Sequence, residues 1–170
     1  MSIFNKLQHF SEEEAWGEPS KINGLLLLLL DRIRDALNSR IRINGAYSAS
    51  GHSEYSQHYR GNAVDFVVLD VPHSKALVEI EKILVDLQVD HVVGFGVYPD
   101  WNTPGFHLDV RGSKARWGRV QRQYVAYEPV AEKLREAAKA DSEAATPTQK
   151  DKPSAPTKQR RKRTRKAANG

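Results

Sequence analysis

Cysteine is absent from this 170-residue chain, which excludes disulfide staples and thiolate metal centres alike. A long apolar run is missing too. The leucine stretch from Leu25 to Leu30 falls far short of the roughly 20 residues that cross a bilayer, so no membrane span is expected. Near the start, Met1 to Phe10 is mixed and polar and is followed by Glu12, Glu13 and Glu14. That is not the apolar stretch of about 7–15 residues that marks a secretory signal, and cytoplasmic synthesis without a signal peptide is the expectation. Large apolar residues are almost missing after Ala137. No aromatic residue interrupts the basic run near the far end, which removes the stacking platform of a dedicated single-strand nucleic-acid binder.

What is present divides the chain in two. Residues 1–137 have the apolar content of one globular domain. Residues 138–170 are dominated by Ala, Thr, Pro, Lys and Gln and cannot bury enough surface to offset the entropy of ordering, so a disordered tail is expected there. The stretch from Lys158 to Lys166 is densely basic and carries more positive charge than the whole chain's net of +5. The remainder is therefore net acidic, and the high isoelectric point belongs to the tail. Residues 158–166 are a candidate contact for a polyanion, either nucleic acid or an anionic wall polymer, or a solubilising tail with no specific partner.

Within the first part, Ile22, Leu25, Leu26, Leu29, Ile33 and Leu37 recur at helical spacing. Ile41 to Ile43 reads as a short strand, and the serine-rich segment from Ser48 to Ser56 with Gly51 reads as a loop. Ala63 to Leu69 is apolar and β-branched, the pattern of a buried strand. Pro72 suits the start of a helix whose apolar stripe is Leu77, Ile80, Ile83, Leu84 and Leu87. Val92 to Val97 reads as a further strand, and Tyr127 to Ala140 as a last helix. These elements predict an α+β domain: a small antiparallel sheet with packed helices.

Two segments carry chemistry. The first is Ser56-Gln57-His58-Tyr59-Arg60-Gly61-Asn62-Ala63-Val64-Asp65, and the second is Gly105-Phe106-His107-Leu108-Asp109-Val110-Arg111-Gly112. In the second, apolar and polar residues alternate with period two. His107 and Asp109 therefore share one face of a strand, and Phe106, Leu108 and Val110 take the other. Gly61 predicts a turn between His58 and Asp65, with His58 on the loop entering the strand. Two neighbouring strands would bring His58, Asp65 and His107 together, and three protein ligands with an open fourth position are what a catalytic zinc site needs. The plainer reading is an aspartate paired with Arg60 beside two hydrogen-bonded histidines.

At these residues the chain resembles the zinc D-alanyl-D-alanine carboxypeptidase family, which includes D,D- and L,D-type cell-wall peptidases and many phage endolysins. The shared pattern is Ser-x-His, a glycine, an aspartate seven residues after the histidine, and a later His-x-Asp or His-x-His strand. The stretches Gly94 to Pro99 and Arg111 to Trp117 are also similar to that family, and the resemblance spans roughly Leu25 to Trp117. It implies one zinc ion per chain, held by His58, Asp65 and His107, and hydrolysis of a bond in peptidoglycan stem peptides. Tyr47, Ser56 and Arg60 are the candidate substrate-binding residues. Such an enzyme, made without a signal, reaches the wall by lysis, through a holin-type pore or in a virion.

Two positions depart from the family pattern. Members often carry Tyr-Arg before the first ligand, and here Ser48 follows Tyr47. Many members place a carboxylate three residues before the last histidine as general base, and here that residue is Pro104. Asp109 and Asp100 are the candidate replacements, with His52 and Glu54 in the preceding loop as others. Asp109 alternatively holds the His107 ring by a hydrogen bond, as metal-bound histidines commonly require. Arg111 and Arg60 are candidates for an oxyanion or a terminal carboxylate, which a guanidinium grips with two parallel bonds. The same two departures motivate a second reading: a catalytically degenerate peptidase-like protein that docks to a polyanion through its tail.

Overall fold

The computed structural model describes residues 2–145, so the basic run at 158–166 and its expected polyanion contact lie outside the described residues. The chain folds as an α+β domain built on one six-stranded sheet. Its strands are β1 (Ile41–Gly45), β2 (Ala63–Val68), β3 (Gly94–Tyr98), β4 (Gly105–Asp109), β5 (Ala115–Val120) and β6 (Gln123–Val125), in the order β1-β2-β4-β3-β5-β6. Three helices accompany them: α1 (Gly24–Leu37), α2 (His73–Asp86) and α3 (Tyr127–Ala145). None of the described helices is long and apolar enough to cross a membrane.

The sheet is mixed rather than wholly antiparallel. β3 and β5 run parallel while every other pair is antiparallel. The segment between β4 and β5 passes over the start of β3, where Gly112 N–H donates to the Val92 carbonyl and Ala115 N–H to the Val93 carbonyl. β5 thus lands on the far side of β3 instead of beside β4. The expectation of an antiparallel sheet rested on strands recognised up to β4. β5 and β6 are rich in arginine and polar residues, and they escape a search for apolar runs.

Alternation along the strands separates two faces. Val64, Phe66, Val68, Phe95, Val97, Phe106 and Leu108 join the helices in one buried core. Within α1, Leu26, Leu27, Leu29, Leu30 and Ile33 are buried, whereas Leu25 is 63% exposed. Leu25 was expected in the buried stripe, but six consecutive leucines carry no phase, so period alone cannot say which of them face inward. Asp31, an acidic residue within this helix, is buried and accepts the backbone N–H groups of Gln8 and His9. The residues before α1 also join the core through Phe4, Phe10 and Trp16, and the Trp16 Nε1–H donates to the Ser11 carbonyl. α3 runs past the expected boundary at residue 137 to Ala145, with Ala138 buried. Its alanine, glutamate and lysine content gives it high helix propensity. The Arg135 guanidinium fastens it to Glu81 of α2, and so does the Tyr127 hydroxyl.

Candidate metal centre

The other face of the sheet carries the site. One row across it reads Asp65 on β2, His107 on β4, Gly96 on β3 and Trp117 on β5, each the direct neighbour of the next. The adjacent row holds Asp109 opposite Gly94. Directly opposed residues on one face are the pairs that interact in a sheet, so backbone pairing alone sets Asp65 beside His107.

His58 reaches the same place from a single 3-10 turn, Gln57–Arg60. The Ser56 hydroxyl caps that turn by accepting from His58 N–H, and Gly61 closes it in the left-handed region at φ +66°. Any other residue would be strained there, and its Cβ would run into the Lys21 carbonyl. The Gly61 carbonyl in turn accepts from Asn23 N–H, and the Asn23 side-chain amide bonds Asn62. The turn that aims His58 is thereby tied to the start of α1.

Ligand atoms of His58, Asp65 and His107 all lie within 4.8 Å of one another. The His58 ring points Nδ1 at the Ala46 carbonyl, 2.6 Å away. A carbonyl only accepts, so Nδ1 bears the hydrogen and Nε2, 3.6 Å from Asp65 Oδ2, offers its lone pair. His107 is held at both nitrogens, with Nδ1 2.8 Å from Asp65 Oδ1 and Nε2 2.9 Å from Asp109 Oδ2. Asp109 has no exposed side-chain surface, and Arg111 grips it through Nε at 2.7 Å and Nη2 at 2.5 Å.

Protonation follows from this wiring. Burial opposes ionisation of Asp65, yet the hydrogen bond from His107 and the His58 ring close by outweigh it and hold its carboxyl well below the usual carboxylate range. Asp109 is likewise penalised by burial, but Arg111 and His107 bring it down to about 2. Burial disfavours the His107 cation, and the two flanking carboxylates still raise its pKa above the ordinary imidazole value. The set suits a divalent cation. It offers an ionised carboxylate and two imidazoles whose second nitrogens are anchored to a carbonyl and a carboxylate, the outer bonds that metal-bound histidines require.

No family model, curated protein or solved structure matches this chain.

Two open clefts meet at the triad. One, of about 580 Å³, is walled by residues that include His52, Ser56, His58, Asp65, Tyr98 and His107. The other, of about 500 Å³, is lined by Asn44, Asp65, Asp100, Trp101, Asn102, Arg119 and Arg122. Of the residues expected to serve the site, His58, Asp65, His107 and Asp109 come together, and Ser56 and Arg111 stand on the cleft wall. Arg111 is committed to Asp109 rather than free for substrate. Asp100 lines the second cleft but is exposed and accepts from Gln121 N–H. Tyr47 faces Lys21, whose ammonium donates to its hydroxyl at 3.0 Å, and lines neither cleft. Arg60 is exposed at the end of the 3-10 turn, outside both cleft walls, and makes no ion pair with Asp65.

Three aromatic walls were not anticipated. The Trp117 ring lies 5.0 Å from that of His107, and its Nε1–H donates to the Tyr98 hydroxyl at 3.1 Å. Trp101 packs against Tyr98 at 4.6 Å. Gly96 makes room for Trp117, because a Cβ there would sit 2.6 Å from the indole. Gly94 makes room for the Asp109–Arg111 pair in the same way, with Arg111 Nε only 2.7 Å from where its Cβ would stand. The available clue was glycine alternating with apolar residues in Gly94-Phe95-Gly96-Val97, which leaves one face of that strand bare.

Proposed function

We propose that this chain is a zinc-dependent peptidase that cleaves a bond in peptidoglycan stem peptides. One observation carries the hydrolase part: His58, Asp65 and His107 bring three ligand atoms within 4.8 Å of one another where two open clefts meet. The substrate class rests on the resemblance of the segments around His58 and His107 to cell-wall peptidases. When bound, a zinc ion supplies a water acidified to a pKa of roughly 7 and a Lewis acid for the scissile carbonyl.

The chain's own groups divide the remaining work. His58 Nε2, Asp65 and His107 Nδ1 hold the ion. Asp109 accepts from His107 Nε2–H and so fixes that ring's tautomer, and Arg111 fixes Asp109. Both Asp109 oxygens are engaged, so Asp109 is a positioning residue and not the base. Pro104 supplies no carboxylate. Among the described residues, His52 is the cleft-wall base whose ring nitrogens take no hydrogen bond, and it stacks on His58 at 4.3 Å. We assign to it the proton released by the nucleophile, since a general base must stand within reach of that water. Tyr98, Trp101 and Trp117 form apolar walls that narrow water's access.

The test is elemental analysis of the purified protein and of His107→Ala, followed by digestion of purified peptidoglycan. About one zinc per chain, lost in the variant, with new stem-peptide products from the parent alone, is the expected result. Zinc without products would overturn the enzymatic reading in favour of a degenerate binding protein. No zinc in either form would overturn the ligand assignment.

A further inference from the structure

The arginines near the site differ in their partners. Arg111 is bound to Asp109, and Arg116 is bound to Asp90 and to the Val93 and Ala115 carbonyls. Arg119 is different. It follows Trp117 by two residues on β5 and so shares the site face. Its cross-strand neighbour is Tyr124. Its guanidinium rests against the rings of Tyr98 at 6.0 Å and Tyr124 at 5.7 Å. Its Nε is buried without a hydrogen-bond partner, and among the described residues Arg119 has no ion pair. Arg119 and Asp65 are also the two residues that line both clefts.

A buried guanidinium nitrogen left without an acceptor is unfavourable. Two aromatic faces hold the group in place but accept none of its N–H bonds. What fits an arginine's planar fork is a carboxylate. The acids nearby do not fill that role, since Asp65 is shared by the two histidines and Asp100 is turned to the Gln121 backbone.

We propose that Arg119 binds a carboxylate of the peptide substrate adjacent to the scissile amide, an inference that rests on the peptidase reading above. The carboxylate has two possible sources. It is the C-terminal carboxylate of the leaving residue, which makes the enzyme a carboxypeptidase, or an acidic side chain within a longer chain, which makes it an endopeptidase. The group is a binding determinant: it fixes the register in which the peptide crosses the triad.

The experiment uses three short N-acetylated peptides with the same residue before the scissile bond. One ends in a free acid, one is its C-terminal amide, and one is an amide carrying a glutamate side chain after that bond. Calorimetric binding to the metal-free full chain is measured for the parent, Arg119→Met and Arg119→Lys. KM and kcat are then measured on the zinc-loaded forms. The parent is expected to bind at least one carboxylate peptide about tenfold to a hundredfold tighter than the neutral amide, the range of a charge-assisted bond. Arg119→Met should erase that preference and raise KM by a similar factor, leaving kcat within about threefold and zinc content unchanged. Arg119→Lys should restore part of it, because it keeps the charge and loses the fork. Preference for the free acid identifies the carboxypeptidase source, and preference for the glutamate peptide the endopeptidase one. An undiminished carboxylate preference in a folded Arg119→Met protein would overturn the proposal. So would a fall in kcat at constant KM, which would place Arg119 at the oxyanion instead. If the parent hydrolyses none of the peptides, the peptidase reading fails while the calorimetric arm still decides what Arg119 binds.

Discussion

Replacing Asp109 with asparagine tests the wiring behind His107. The side chain is the same size, so packing is preserved and only hydrogen bonding changes. Asp109 now accepts from His107 Nε2–H at 2.9 Å, from Arg111 Nε at 2.7 Å and from Arg111 Nη2 at 2.5 Å. An asparagine offers one acceptor and one donor group. With its NH₂ toward His107, the imidazole must take the other tautomer, which places the hydrogen on Nδ1, the nitrogen facing Asp65. That lone pair is then lost to a metal. With its NH₂ toward Arg111, two donors collide, and in either orientation the Arg111 cation loses its counter-charge. Loss of such an outer bond typically lowers metal affinity 10–100-fold, or about 1.4–2.7 kcal/mol. Breaking a buried ion pair costs about 3–5 kcal/mol. The Arg111 side chain is 30% exposed and water repays part of that, so about 2 kcal/mol of metal-free stability should go. Competition against a chromogenic chelator reads the first effect and denaturant unfolding the second. Adding Arg111→Met to the variant should relieve much of the stability loss but not the affinity loss. A folded Asp109→Asn protein with zinc affinity within about threefold of the parent would refute the positioning role.

Two further outcomes follow from the site face. Gly96→Ala should cost about 1–3 kcal/mol, as overpacking does, because the new methyl meets Trp117 and displaces its bond to Tyr98. A melting temperature equal to the parent's would contradict this. Acid should destabilise the metal-free protein. Asp109, held at about 2 when folded against about 3.9 unfolded, contributes fully above pH 4 and loses that contribution as pH falls toward 2. The loss is about 2 kcal/mol, and the Asp109→Asn variant should lack it. His107 acts with the opposite sign, because its raised folded pKa stabilises below about 6.5 and fades as pH rises. Unfolding midpoints measured from pH 2 to 9 check both slopes.

The site's near half was legible because it is periodic. Phe106 to Val110 alternates, so His107 and Asp109 had to share a face, and Gly61 had to mark a turn between His58 and Asp65. What stayed hidden depends on pairing between distant segments. Nothing local says that β5 crosses over β3, and that crossover is what sets Trp117 and Arg119 beside the triad. Arg60 and Tyr47 were assigned through residue type and family pattern. Their surroundings turn them elsewhere, toward solvent and toward Lys21. The leucine run of α1 failed for the reverse reason, since uniform composition erases the period that would orient it.

The alternation of β4 has a consequence for how faithfully the centre is made. Phe106 and Leu108 are wholly buried in the core while His107 and Asp109, between and after them, lie on the opposite face, where His107 lines a cleft. A one-residue slip of this strand would push both ionisable groups into hydrocarbon and set both apolar ones among the polar groups of the site. The chain therefore has no cheap way to fold with a misbuilt centre. The same hydrophobic penalty that rejects a wrong core also proofreads the chemistry.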